Sequence, residues 1–190
     1  MILRAAKAAL VFGVALYHTL VVWNNLTDYD SNYQFIRHVL MMDSTFPGNR
    51  EMWRAMNSPV WHGAFYWTII LWEGAVMVLC WWGGWRLARS LNGDEDAFRK
   101  GKSVAILGLT SSLLLWLVAF LCVGGEWFLM WQSKTWHGQE VAFRMFAVVG
   151  IVLLFVAQTE ERESGISQLC ANVDLVPRER KKNQARPAAR

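Results

Sequence analysis

Four apolar runs constrain this chain more than any other feature. Each approaches or exceeds the roughly 20 residues that a helix needs to cross a bilayer of about 30 Å. They fall at about 6–24, 60–85, 103–131 and 139–158. The first follows Arg4 and Lys7 and has the outline of a secretory leader. However, Tyr17-His18-Thr19 interrupts it, and no small-residue cleavage site precedes Asn24-Asn25. It reads as an uncleaved first helix. Inside hydrocarbon a backbone must satisfy its own polar groups, so runs of this length predict helices. The expected fold is all-α, an integral membrane four-helix bundle, with 1–159 as one transmembrane domain. Residues 160–190 lack a sustained apolar pattern and read as a basic, disordered cytoplasmic tail.

Basic residues then set an orientation. Arg4 and Lys7 precede the first run, and Arg86, Arg89, Arg99, Lys100 and Lys102 separate the second from the third. Arg162 and the string Arg178-Glu-Arg-Lys-Lys182 follow the fourth, whereas the connection after the third carries only Lys134. The positive-inside rule puts both termini and the middle loop in the cytoplasm. The loop 25–59 is the outer one by elimination, its Arg37, Arg50 and Arg54 being mixed with Asp28, Asp30, Asp43 and Glu51. Of the 12 tryptophans, Trp23, Trp61, Trp127, Trp131 and Trp136 mark the outer boundary and Trp81, Trp82 and Trp85 the inner one. The net charge of +4 is spent on these boundaries rather than on one folded face, which argues against nucleic acid as a partner. Within the outer loop, Phe35, Ile36, Val39, Leu40 and Met42 have helical spacing and predict a short interfacial helix. Phe46-Pro-Gly-Asn49 reads as a turn, and Glu51 to Met56 as a helical turn or two.

Two strings carry a family resemblance. One runs Asn25-Leu-Thr-Asp28-Tyr-Asp-Ser-Asn32-Tyr-Gln-Phe-Ile-Arg-His38-Val-Leu-Met-Met-Asp43. The other is Gly124-Gly-Glu126-Trp-Phe-Leu-Met-Trp-Gln-Ser133, followed by Gly138-Gln-Glu-Val-Ala-Phe-Arg144. Both resemble a bacterial family of predicted small integral membrane proteins of unknown function. The resemblance implies a four-span protein of the bacterial inner membrane and transfers no activity or site.

An ionisable residue at membrane depth costs several kcal/mol unless it is paired or faces a cavity, so each one is a candidate site. Glu73 lies about halfway along the second run. It reads either as a proton or cation relay, or as a carboxyl hydrogen-bonded to Ser111 or Ser112 on the third. Glu126 and Arg144 sit at similar depths near the outer ends of the third and fourth runs, about 8–9 Å in by helical rise. They are expected to form a structural ion pair, with Glu140 competing for Arg144 at i−4. His18 and His62, on facing helices, are the pair to consider for haem b or a quinone. Met41, Met42, Met52 and Met56 share the outer loop with His38 and His62 and add a Cu(I) reading, although methionine is also ordinary apolar filling.

Other patterns fail. Asp28-Tyr-Asp30-Ser-Asn32 begins like a calcium loop, but Tyr33 stands where glycine is required and Val39 where the bidentate glutamate belongs. Cys80, Cys122 and Cys170 form no metal or disulfide spacing. No phosphate loop, nucleophile elbow or metalloprotease motif occurs. The expectation is a non-enzymatic accessory or anchor subunit for another membrane or periplasmic protein, with the lipid bilayer as its solvent and homo-oligomerisation open. A haem- or quinone-binding redox subunit is the alternative, and a small transporter working through Glu73 comes third.

Overall fold

The computed structural model describes residues 1–158. Helix α1 spans Ile2–Thr27, α2 Tyr29–Met41, α3 Pro59–Arg89, α4 Glu95–Leu114 and α5 Gln139–Ala157. Between α4 and α5, Leu115–Trp127 continues the third crossing in π-helical winding, and single 3-10 turns stand at Met52–Arg54 and Met130–Gln132. Four helical segments are long and apolar enough to cross a membrane: α1, α3, α4 with its π-wound continuation, and α5. The basic tail expected at 160–190 lies outside the described residues.

The termini of the crossings follow their local chemistry. Pro59 occupies the first turn of α3, where its missing N–H costs nothing. Arg86 and Arg89 fall in the last turn, where cations suit the helix dipole. Helix α4 begins at Glu95, earlier than the apolar run, because the Asp94 carboxylate accepts from Ala97 N–H at 2.7 Å and caps it. At this basic end, the Arg4 guanidinium donates to the Gly93 carbonyl at 2.8 Å and ties α1 to the α3–α4 connection.

Helix α3 is the central element, packed antiparallel to α1 and to α4. Small residues make the approach close. Gly101, Ala105, Gly108 and Ser112 repeat at helical spacing and form a buried stripe on α4. A Cβ built on Gly83 would stand only 2.5 Å from the Ala105 Cα, and one on Gly108 3.0 Å from Cys80 Sγ. The core between the helices includes Val11, Val14, Val76, Cys80, Leu109 and Val149. Outward-facing Leu71, Leu107, Ile151 and Leu154 are more than half exposed, as lipid-facing residues should be.

The far end of the bundle is capped. Helix α2 follows α1 after a break of one residue, Asp28, instead of beginning near Phe35 as the sequence pattern suggested. The freed carbonyls do not stay bare: the Asn32 side chain donates to Asp28 O at 3.1 Å and to Asn24 O at 3.5 Å. Beyond α2, Phe46–Asn49 closes with a 3.2 Å backbone bond and Gly48 at φ +78, the geometry of a type II turn. A second small core of Val39, Leu40, Met42, Phe128 and Met130 joins this loop to the segment after the π-wound helix. Ser44 donates to Ser133 Oγ at 2.8 Å, and Ser133 Oγ in turn accepts from Trp136 N–H at 2.8 Å.

Candidate functional site

Glu73 sits halfway along α3 and is 2% exposed. The Asn25 amide, near the last turn of α1, donates to its Oε2 at 2.6 Å. Asn25 is itself held from the other side, since Tyr66 O–H donates to its backbone carbonyl at 3.0 Å. Tyr66 is fixed in turn by ring contacts with Tyr29 at 4.9 Å and Tyr33 at 6.2 Å, both from the first turns of α2. The break at Asp28 therefore does two things. It ends α1 where Asn25 reaches mid-α3, and it brings tyrosines from α2 onto the same spot.

The partner expected for Glu73 was Ser111 or Ser112, and that expectation is corrected. Ser111 Oγ accepts from the Trp72 indole at 3.0 Å, and Ser112 Oγ bonds His18 Nε2 at 2.8 Å. Successive helical residues point about 100° apart, so Trp72 faces α4 and Glu73 turns toward α1.

Glu73 lines a cavity of about 410 Å³ with Asn25, Tyr66, Trp116, Phe120 and His137. No lysine or arginine forms an ion pair with Glu73 among the described residues. Trp116 and Phe120 come from the π-wound segment, their rings 4.9 Å apart. The Trp116 indole N–H is buried and finds no acceptor among the described residues. An apolar cavity of about 190 Å³ adjoins the first and shares Phe35, Ile36, Ile69 and Phe120 with it. The π-wound residues Val118, Ala119, Val123 and Gly124 line this second space. Rare π winding is found disproportionately at functional sites.

The structure does not bring His18 and His62 together. His18 lies about 10 Å from Asn25 toward the basic end, and His62 about 16 Å from Glu73 toward the capped end, at 1.5 Å per residue. They stand on opposite sides of the Asn25–Glu73 bond. His18 Nε2 is engaged by Ser112, and His62 Nε2 by the Met56 carbonyl at 2.7 Å. One iron cannot take both imidazoles in this arrangement. The copper reading fares no better geometrically. Met42 is buried in the cap core, and Met52 Sδ accepts from Thr45 O–H at 3.7 Å. His38 Nδ1 is paired with Asp43 at 2.7 Å while its ring stacks on Trp136 at 4.6 Å. Among the described residues, no group of three or more His, Cys, Asp or Glu is placed to hold a metal ion.

The ion pair expected between Glu126 and Arg144 is also corrected. Both side chains are exposed, and neither has a hydrogen bond or ion pair among the described residues. Equal depth for the two requires α-helical winding through the third crossing, whereas Leu115–Trp127 is π-wound, which changes both the rise and the direction of each side chain. Gln139, rather than Arg144, packs against this stretch: a Cβ on Gly125 would lie within 3.2 Å of the Gln139 side-chain carbonyl carbon.

Asn25, Tyr66 and Trp116 were not singled out from the sequence. A signal existed for two of them. His18 and Asn25 are seven residues apart on α1, as are Tyr66 and Glu73 on α3, so each polar pair shares one helix face.

No curated protein and no solved structure matches the chain. A family model described as predicted small integral membrane protein (DUF2165) matches residues 3–159, which takes in all four crossings and every residue of the cavity. The chain belongs to that family of integral membrane proteins.

Proposed function

We propose that the chain is a non-enzymatic binding subunit of a bacterial inner membrane, its basic end in the cytoplasm, that takes a small ligand into the cavity at Glu73. One observation carries the reading: a nearly inaccessible carboxyl halfway along a crossing, on the wall of a cavity of about 410 Å³. An ionisable side chain at such depth is costly and is retained where it serves a pathway or a ligand. The cavity volume lies in the usual range for small-molecule sites, about 300–1,000 Å³. The orientation rests on Arg4, Lys7, Arg86 and Arg89 clustering at one end. An accessory or anchor role toward another membrane or periplasmic protein suits a bundle whose polar groups converge on a binding cavity.

The test is to purify the full chain in mild detergent, release bound small molecules with organic solvent and analyse them by mass spectrometry. Ile69 lines both cavities, so Ile69→Trp fills them. A molecule present with the native chain and absent from a folded Ile69→Trp variant is the expected result. Identical extracts from the two would overturn the reading.

A further inference from the structure

We infer that the ligand is a small organic amine bound as its ammonium, the cationic head at Glu73 and an apolar body in the adjoining cavity; this rests on the binding reading above. Three features of the site converge on that class. Glu73 supplies a carboxyl whose hydrogen bond comes from neutral Asn25, so a bound cation would hold it ionised and meet no competing ion pair there among the described residues. An ammonium replaces the missing counter-charge, whereas an anionic ligand would meet repulsion in a medium of low dielectric. The walls around the carboxylate are aromatic: Tyr66, Trp116, Phe120 and Phe35 all line the same cavity. Ring faces attract organic cations, and desolvated sites strengthen the effect. The apolar cavity beyond Phe35 and Phe120 then accommodates a hydrocarbon body, which a simple inorganic cation would not use.

A metal ion fits these walls poorly. A hard cation seeks six or more oxygen ligands, several of them charged, and here Glu73 is the one acidic group in a lining that otherwise offers Asn25, Asn32, Thr135 and His137. A neutral apolar molecule would fill the second cavity and bring no counter-charge to the carboxyl.

Two probes of equal shape isolate the charge. 2-Phenylethylamine and 2-phenylethanol share a body and differ in an ammonium or a hydroxyl. Each is titrated into the full chain in detergent, with calorimetry and tryptophan fluorescence as readouts. The amine is expected to bind once per chain and at least tenfold more tightly than the alcohol. In Glu73→Gln, which keeps an acceptor for Asn25, the amine should lose that advantage while the alcohol is unchanged. Equal affinities for the two probes, undiminished amine binding in Glu73→Gln, or no saturable binding of the amine would each overturn the ammonium assignment. If both probes bind equally and Ile69→Trp abolishes both, the cavity remains a binding site and only the ligand class is wrong.

Discussion

Asn25 and Glu73 are 48 positions apart in sequence and joined by a 2.6 Å hydrogen bond at the middle of the bundle. That bond links the last turns of α1 to the centre of α3. With Tyr66 on the other side of Asn25, it forms a polar chain between the two helices.

Removing the donor should therefore be felt. Asn25→Ala leaves a buried carboxyl oxygen without its donor while Tyr66 keeps the backbone carbonyl of residue 25, a cost of about 1–3 kcal/mol. Tyr66→Phe removes one neutral hydrogen bond and should cost less, about 0.5–1.5 kcal/mol. Unfolding in detergent or increasing SDS would rank the two. If Tyr66→Phe is the more damaging, the Tyr66 hydroxyl bond to the Asn25 carbonyl, and not the Asn25–Glu73 bond, holds this junction.

The α3–α4 seam gives a second comparison. Gly83→Ala places a methyl 2.5 Å from backbone atoms of Ala105, so one helix must move away from the other. Overpacking of this kind costs about 1–3 kcal/mol. Gly13→Ala on α1 has nothing within 4 Å and should be neutral or slightly stabilising. Measured melting temperatures that fall equally for both would contradict the close seam.

Asp94→Ala tests the start of α4. Its carboxylate caps Ala97 N–H at 2.7 Å, and losing such a cap costs about 1 kcal/mol. Asp94→Asn should recover most of the loss, because the amide oxygen can still accept. An unchanged Asp94→Ala variant would show that this cap contributes nothing to the start of α4.

The crossings themselves were legible because hydropathy is continuous through them. Residues 60–85 became Pro59–Arg89 and 139–158 became Gln139–Ala157, differing only by capping turns. What faces what was harder to read. Helix α3 is apolar around its whole circumference, so its pattern does not separate the face toward α1 from the face toward lipid. Glu73 is visible as a buried acid, but its direction depends on that missing phase, so the sequence points to Ser111 or Ser112 where Asn25 belongs. The break at Asp28 left a trace in Asp28-Tyr-Asp-Ser-Asn32. In sequence these residues read as a failed calcium loop, and not as the junction that carries α2 directly onward from α1. The π winding from Leu115 to Trp127 left no comparable trace, since an i→i+5 ladder asks for no residue type that an α-helix forbids.

That winding yields the sharpest disagreement between the sequence pattern and the fold. Had Glu126 and Arg144 been a buried pair, Glu126→Ala would strand a charge and cost several kcal/mol. In the structure both are exposed and unpaired among the described residues, so Glu126→Ala should change stability by no more than about 0.5 kcal/mol. Arg144→Ala should behave alike, and the double variant should equal the sum of the singles. The measurement is a thermal double-mutant cycle in detergent. A coupling energy above about 1 kcal/mol would mean the third crossing is α-helical past Leu115 and the two side chains meet after all.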